Sequence, residues 1–243
     1  MTARRVARRA LVSLAVLVLG LVLVPVGAVA VLWPLTPSTH DAEQRVAAVL
    51  AMHDSADPHA LPDPDRVGQG IIATEDSRFY RHHGLDGLGI ARAALGFAQG
   101  QADPGGATLE QQLAKNLYTV GRSGVAAKVE QVELALKLDR TCSKQQVLEM
   151  YLSVVYFGHG HYGLPAAARG YFGVAPNALT WAQASLLAGL VQAPSAYDPY
   201  THADLARRRQ AHVLDRLAAT GVLTRAQAQQ TRAQAWGLLP ASS

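Results

Sequence analysis

Two short segments hold most of the residue types that could do chemistry. The first, Ile71 to Gly84, places adjacent carboxylates at Glu75 and Asp76, an aromatic at Phe79 and paired histidines at His82 and His83. Read as a helix that starts apolar and stops at Gly84, it puts Glu75 and Phe79 on one face. A carboxylate held against an aromatic ring loses hydration and gains proton affinity, as a general base acting on a sugar hydroxyl requires. The second segment, Pro104 to Asn116, is a Gly105-Gly106 turn running into a helix start, with Thr108 and Gln111 at capping-box spacing. A helix N-terminus offers unpaired N–H groups and a positive dipole to an anion. Gln111 and Lys115 lie four apart on that helix, so an amide and an ammonium could hold a sugar and a phosphate together. Each pattern alone is weak, because acidic pairs are usually solvated and glycine pairs usually only turn the chain.

The elements that must position these groups read as mostly helical. Ser143 and Gln146 repeat the capping-box spacing before Val147, Met150, Tyr151 and Val154. Val125, Val129, Val132 and Leu136 follow the spacing of one buried helix face, and residues 178–191 are apolar enough for a core helix. Arg207 to Gly237 should form terminal amphipathic helices. Residues 34–66 contain Pro34, Pro37, Pro58, Pro62 and Pro64 and read as a stalk with a short helix near Ala42 to Met52, ahead of one domain over 67–243.

The chain has 243 residues, and its 22 Lys and Arg exceed its 18 Asp and Glu by four. Arg4, Arg5, Arg8 and Arg9 account for that excess, which leaves the remainder near neutrality and argues against a nucleic-acid partner. Leu11 to Trp33 carries no charged residue and exceeds the roughly 20 residues a bilayer span needs. Preceding arginines orient such a span with residues 1–10 in the cytoplasm and the domain outside. A cleaved signal peptide is the rival, since Ala28-Val29-Ala30 resembles a cleavage site. Cys142 is the single cysteine, so no intramolecular disulfide forms. There is no His-Glu-x-x-His and no phosphate loop.

Taken with Tyr151 to Gly163 and Ala188 to Ser195, the two segments resemble the peptidoglycan glycosyltransferase family: the transglycosylase module of class A penicillin-binding proteins and its monofunctional relatives. Glu75, Asp76, Phe79, His82 and Gly84 match its Glu-Asp-x-x-Phe-x-x-His-x-Gly motif. Gly105, Gly106, Thr108, Gln111 and Gln112 match its glycine-glutamine motif, followed by Lys115 and Asn116. Ala107, Ser153, Ala127 and Gln131 depart from it; Gln131 stands where the family has a glutamate.

The resemblance implies a mainly α, lysozyme-like domain with a small membrane-facing jaw, preceded by one transmembrane helix. It further implies that Glu75 is the catalytic base and that Lys115 and Arg92 meet the pyrophosphate of a lipid-linked disaccharide. Thr108, Gln111, Gln112, Gln131 and Phe79 complete the substrate-binding set. No cofactor is required, with magnesium an optional aid. The implied partners are lipid II, the growing glycan, the cytoplasmic membrane and other wall-building proteins. No Ser-x-x-Lys occurs, so a monofunctional polymerase is expected rather than one that also binds penicillin. A glycan hydrolase and a scaffold that grips precursor without turnover are the alternatives, the latter because of Gln131 and Ala127.

Overall fold

The computed structural model describes residues 33–53, 66–99 and 106–240, with Gly27 and Val31 before them. Gly105 and nearly all of the apolar run Leu11 to Trp33 lie outside the described residues. No helix among the described residues is long and apolar enough to cross a membrane.

The chain is helical in order: α1 (Ala42–Met52), α2 (Arg66–Glu75), a 3-10 turn (Phe79–Arg81), α3 (Gly87–Ala98), α4 (Leu109–Leu117), α5 (Gly124–Thr141), α6 (Lys144–Val154), α7 (Leu164–Phe172), a 3-10 turn (Pro176–Ala178), α8 (Trp181–Leu190), α9 (Ala203–Ala219) and α10 (Arg225–Arg232). Isolated bridges at His83–Leu85 and Tyr156–Tyr162 are the only extended pairings among the described residues. Capping boxes start four helices, at Thr108, Ser143, Thr180 and Thr224, each closed by a glutamine three residues on. Each satisfies two backbone donors that a helix start otherwise leaves unpaired.

The helix expected near residues 42–52 is present. It does not stand apart as a stalk, for Ala42, Val46 and Leu50 are buried in the common core. Asp41 ties its start down by accepting from Arg45 Nε and Tyr118 Oη, both at 2.8 Å.

Two expectations about local structure need correction. The helix through Glu75 ends there instead of running to Gly84, and the chain turns at residues 76–78 before the 3-10 turn. The cause is Asp76, whose carboxylate accepts from the Leu109 N–H at 3.0 Å and bonds His82 Nε2 at 2.9 Å, drawing the chain toward the start of α4. Consequently Glu75 and Phe79 do not share a face, and Phe79 is wholly buried. On α5 the buried stripe is Ala127, Gln131, Leu134 and Leu138, not the valine series, and Val125 is 82% exposed. The spacing was right but displaced by two residues, about 200° around the helix. Polar Gln131 and Glu133 on the inner side disguise it.

α2, α8 and α9 pack together at one end of the core. Gly70 sets their separation, because a Cβ there would lie 2.8 Å from the Ala188 methyl. Leu186 and Leu190 of α8 and Val213 and Leu217 of α9 fill the space below. Burying side chains of this size contributes about 1.5–3 kcal/mol each. That rigid three-helix seat fixes the end of α2, where Glu75 projects.

Candidate active site

Glu75 is the last residue of α2, and its side chain, 18% exposed, lines a cleft of about 280 Å³. One wall is the α2 end, Thr74 to Ser77; a second is Asp86, Gly89 and Arg92 at the start of α3; a third is Gly106 to Thr108; the last is His212 and Arg216 of α9. Gly106 permits this closure, since at φ +106° it bears no Cβ, and one would sit 2.8 Å from the Ala93 methyl.

The cleft carries charges of both signs, the carboxylates of Glu75, Asp76 and Asp86 and the guanidinium groups of Arg92 and Arg216. Arg209 Nη2 donates to Glu75 Oε1 at 2.6 Å, with only 12% of the arginine side chain exposed. The same guanidinium donates through Nε to the Gly189 carbonyl at 3.4 Å, so α8 and α9 both aim it. Arg216 Nε donates to the Ala73 carbonyl at 3.0 Å, which serves an acceptor near the end of α2. Arg92 reaches Asp86 only at 3.4 Å and keeps 61% of its side chain exposed, available to an incoming anion. Burial would raise the Asp86 pKa, but the Gly89 N–H and the Arg78 guanidinium outweigh it and hold it below the usual value. Burial lowers the His212 pKa, and Arg209 and Arg216 on either side push it down further. Burial and the nearby charge of Glu75 both raise the pKa of Tyr151.

Beneath the cleft lies a buried polar network. Asp76 and His82 pair within it, and Glu110, 0% exposed, accepts from Lys144 Nζ, which also meets Asp139 at 2.8 Å. Burial raises the Glu110 pKa. His83 points outward instead, 96% exposed and 3.4 Å from Asp139, so the adjacent histidines do face different ways.

The residues singled out in the sequence are divided by the structure. Glu75, Arg92 and Thr108 line one cleft. Thr108 is also structural, donating its hydroxyl to the Gly84 carbonyl at 2.7 Å. Gln111 turns its amide oxygen back to the Thr108 N–H at 2.9 Å and so caps α4, and it does not line the cleft. Lys115 is exposed and outside the cleft lining. Gln112 accepts from the Tyr151 hydroxyl at 2.9 Å. Phe79 belongs to the core. Gln131 is 5% exposed, donates to Thr119 Oγ1 at 2.9 Å and does not line the cleft. Its neighbour Glu130 pairs outward with Arg122 at 2.6 Å.

Arg209, His212, Arg216 and Asp86 were missed. A signal existed for three of them: residues 209, 212 and 216 fall at +3 and +4 along one helix stripe, beside the buried stripe Ala206, Gln210, Val213 and Leu217. Basic residues repeating beside a core face invite a shared target.

A transglycosylase family model matches residues 47–218. Penicillin-binding protein 1A of Escherichia coli strain K12 is 40% identical over 173 residues, covering 71% of this chain and 20% of that protein. Penicillin-binding protein 1A of Aquifex aeolicus is 35% identical over 192 residues, 79% of this chain and 26% of that protein. The chain thus spans about a fifth to a quarter of the length of these curated relatives. A crystal structure of penicillin-binding protein 1A from Haemophilus influenzae superposes on 42% of this chain and 15% of its own, at a TM-score of 0.39 and 29% identity, too partial to bear on the fold. The family model covers most of the helical body described above and every wall of the cleft, and the chain belongs to the transglycosylase family.

Proposed function

We propose that the chain is a monofunctional peptidoglycan glycosyltransferase that polymerises lipid II. The observation carrying this reading is Glu75 at the end of α2, held by Arg209 on the wall of a cleft that Arg92 and Arg216 also line. Glu75 takes the proton of the acceptor 4-hydroxyl, and the oxygen attacks C1 of the donor sugar. The bond from C1 to the pyrophosphate oxygen breaks, undecaprenyl pyrophosphate departs with that electron pair, and the anomeric centre inverts. Charge develops on the leaving group, and Arg92 and Arg216 are fixed within reach of the cleft to meet it. Lys115 contributes by attraction from outside the lining.

A resident divalent ion does not fit these residues. The cleft carboxylates are engaged: Glu75 by Arg209, Asp76 by His82 and the Leu109 N–H, Asp86 by Arg78 and Arg92. The buried trio Asp76, His82 and Glu110 has ligand spacing, but the Lys144 ammonium already fills that role beside Glu110.

The lysozyme-like, jaw-bearing arrangement and the single N-terminal anchor belong to the same reading, with the domain outside the bacterial cytoplasmic membrane. Leu88, Ile90 and Leu95 of α3, each more than half exposed, support a membrane-facing jaw. The scaffold alternative rested on Gln131 and Ala127, neither of which lines the cleft. The test offers fluorescent lipid-linked disaccharide to the wild type and to Glu75→Gln, with products separated on a gel. Long polymer from the wild type and none from the variant is expected; fragments from finished wall, or equal polymer from both, sinks the reading.

A further inference from the structure

A second cavity, about 460 Å³, lies between the start of the described body and the last turns of α5. Trp33 forms one side, with Lys137 Nζ 5.0 Å and the Arg140 guanidinium 4.8 Å from its ring centre. Lys137 is held by backbone, donating to the Trp33 and Thr36 carbonyls at 2.9 and 2.8 Å, so no carboxylate neutralises it. The Arg140 side chain has no carboxylate partner among the described residues. His40 and the Ser38 hydroxyl complete the rim.

No acidic residue lines this cavity. The acids nearest in sequence are turned elsewhere: Asp41 accepts from Arg45 and Tyr118, and Asp139 pairs with Lys144 and His83. Two uncompensated cations, an imidazole and hydroxyl donors around an indole make a site for a phosphate that arrives beside apolar material. The chain supplies the reason for that company. Trp33 closes the uncharged run from Leu11, and an interfacial tryptophan with basic neighbours is the usual boundary of a bilayer span.

We propose that this cavity binds the phosphate of an anionic membrane phospholipid where the chain meets the bilayer. The proposal depends on the membrane anchor but not on transferase chemistry, since none of its residues lines the Glu75 cleft. Arg140 and His40 make the phosphate contacts, and Lys137 holds the turn that presents Trp33. A juxtamembrane Lys or Arg contributes about fivefold in affinity, so losing Arg140 together with the His40 hydrogen bond should weaken retention by about fivefold or more.

The test is native mass spectrometry of the full chain released from detergent, with phosphatidylglycerol or phosphatidylcholine added. The wild type should retain phosphatidylglycerol preferentially, and the double variant Arg140→Gln, His40→Gln should lose that preference while keeping its melting temperature and its polymer output. Arg140→Lys, which keeps the charge, should retain part of it. Equal retention of the two lipids by the wild type overturns the proposal, as does an unchanged preference in the double variant. Displacement of the lipid by millimolar inorganic phosphate would assign the cavity to free anions and overturn the lipid source. Polymerisation in the same samples reports separately on the transferase reading.

Discussion

Replacing Arg209 with glutamine strips the guanidinium from Glu75 and leaves a carboxylate that is only 18% exposed without its counter-charge. At the 2.6 Å separation the gross attraction is about 6 kcal/mol for an effective dielectric near 20. Desolvation of both groups offsets most of that, leaving the roughly 1.5–3 kcal/mol typical of a charged hydrogen bond. For a body of this size each kcal/mol moves the melting temperature by about 2–4 °C. Arg209→Gln should therefore melt about 3–12 °C lower at neutral pH, read by circular dichroism. Turnover should fall by about 10²-fold or more, because Glu75 Oε1 loses the guanidinium that positions it. Glu75→Gln combined with Arg209→Gln isolates the contact. The two single losses should exceed the double loss by about 1–3 kcal/mol. If the singles simply add, within about 0.5 kcal/mol, the pair is a crystal-like coincidence of side chains and Arg209 does not position the base.

Other consequences are checked by similar means. Glu133 is 0% exposed with neither carboxylate oxygen hydrogen-bonded, so Glu133→Leu should stabilise the fold by about 1–3 kcal/mol, and a lower melting temperature would refute this. Gln131→Glu removes the amide donor to Thr119 and buries a charge, so it should destabilise by about 1–3 kcal/mol without raising turnover, measured by melting and polymer gels. His212 has a lowered pKa, so folding favours its neutral form; that contribution is present above about pH 6.5 and is lost as pH falls through the folded value. Once protonated it adds a third cation beside Arg209 and Arg216, so pyrophosphate binding by calorimetry should tighten, relative to His212→Gln, only as pH falls through that lowered folded value.

Helix positions were legible where local signals agreed with packing. Thr108 with Gln111 and Ser143 with Gln146 announced the starts of α4 and α6, because a capping box satisfies backbone donors by purely local bonds. The run through Glu75 misled because its end is set non-locally: Asp76 accepts from Leu109, 33 residues on, and no local pattern reports that bond. The face of α5 misled for the opposite reason. Its valines made a plausible stripe, while the true one contains Gln131, whose burial depends on a hydroxyl at Thr119 twelve residues earlier.

The candidate site divides along the same line. Glu75 was singled out through a Phe79 contact that the fold does not make, Thr108 through its capping box and Arg92 only through the family resemblance, yet the groups that complete the cleft come from α9, more than 130 residues beyond Glu75. Distance in sequence explains why motif-centred reading favoured Gln111 and Lys115 on the nearest helix. The capping box that identified α4 already engages the Gln111 amide oxygen, which accepts the Thr108 N–H. A motif residue that performs such local work is a weak candidate for substrate contact until its remaining valences are counted. Arg209 is the converse: its side chain bonds across to other elements, Gly189 of α8 and Glu75 of α2. A long side chain ordered at both its Nε and Nη2 loses rotamer freedom during folding, so little remains to be lost when substrate arrives. Pre-ordering of that kind favours Arg209, over the exposed Lys115, as the basic residue whose loss most disturbs the geometry around Glu75.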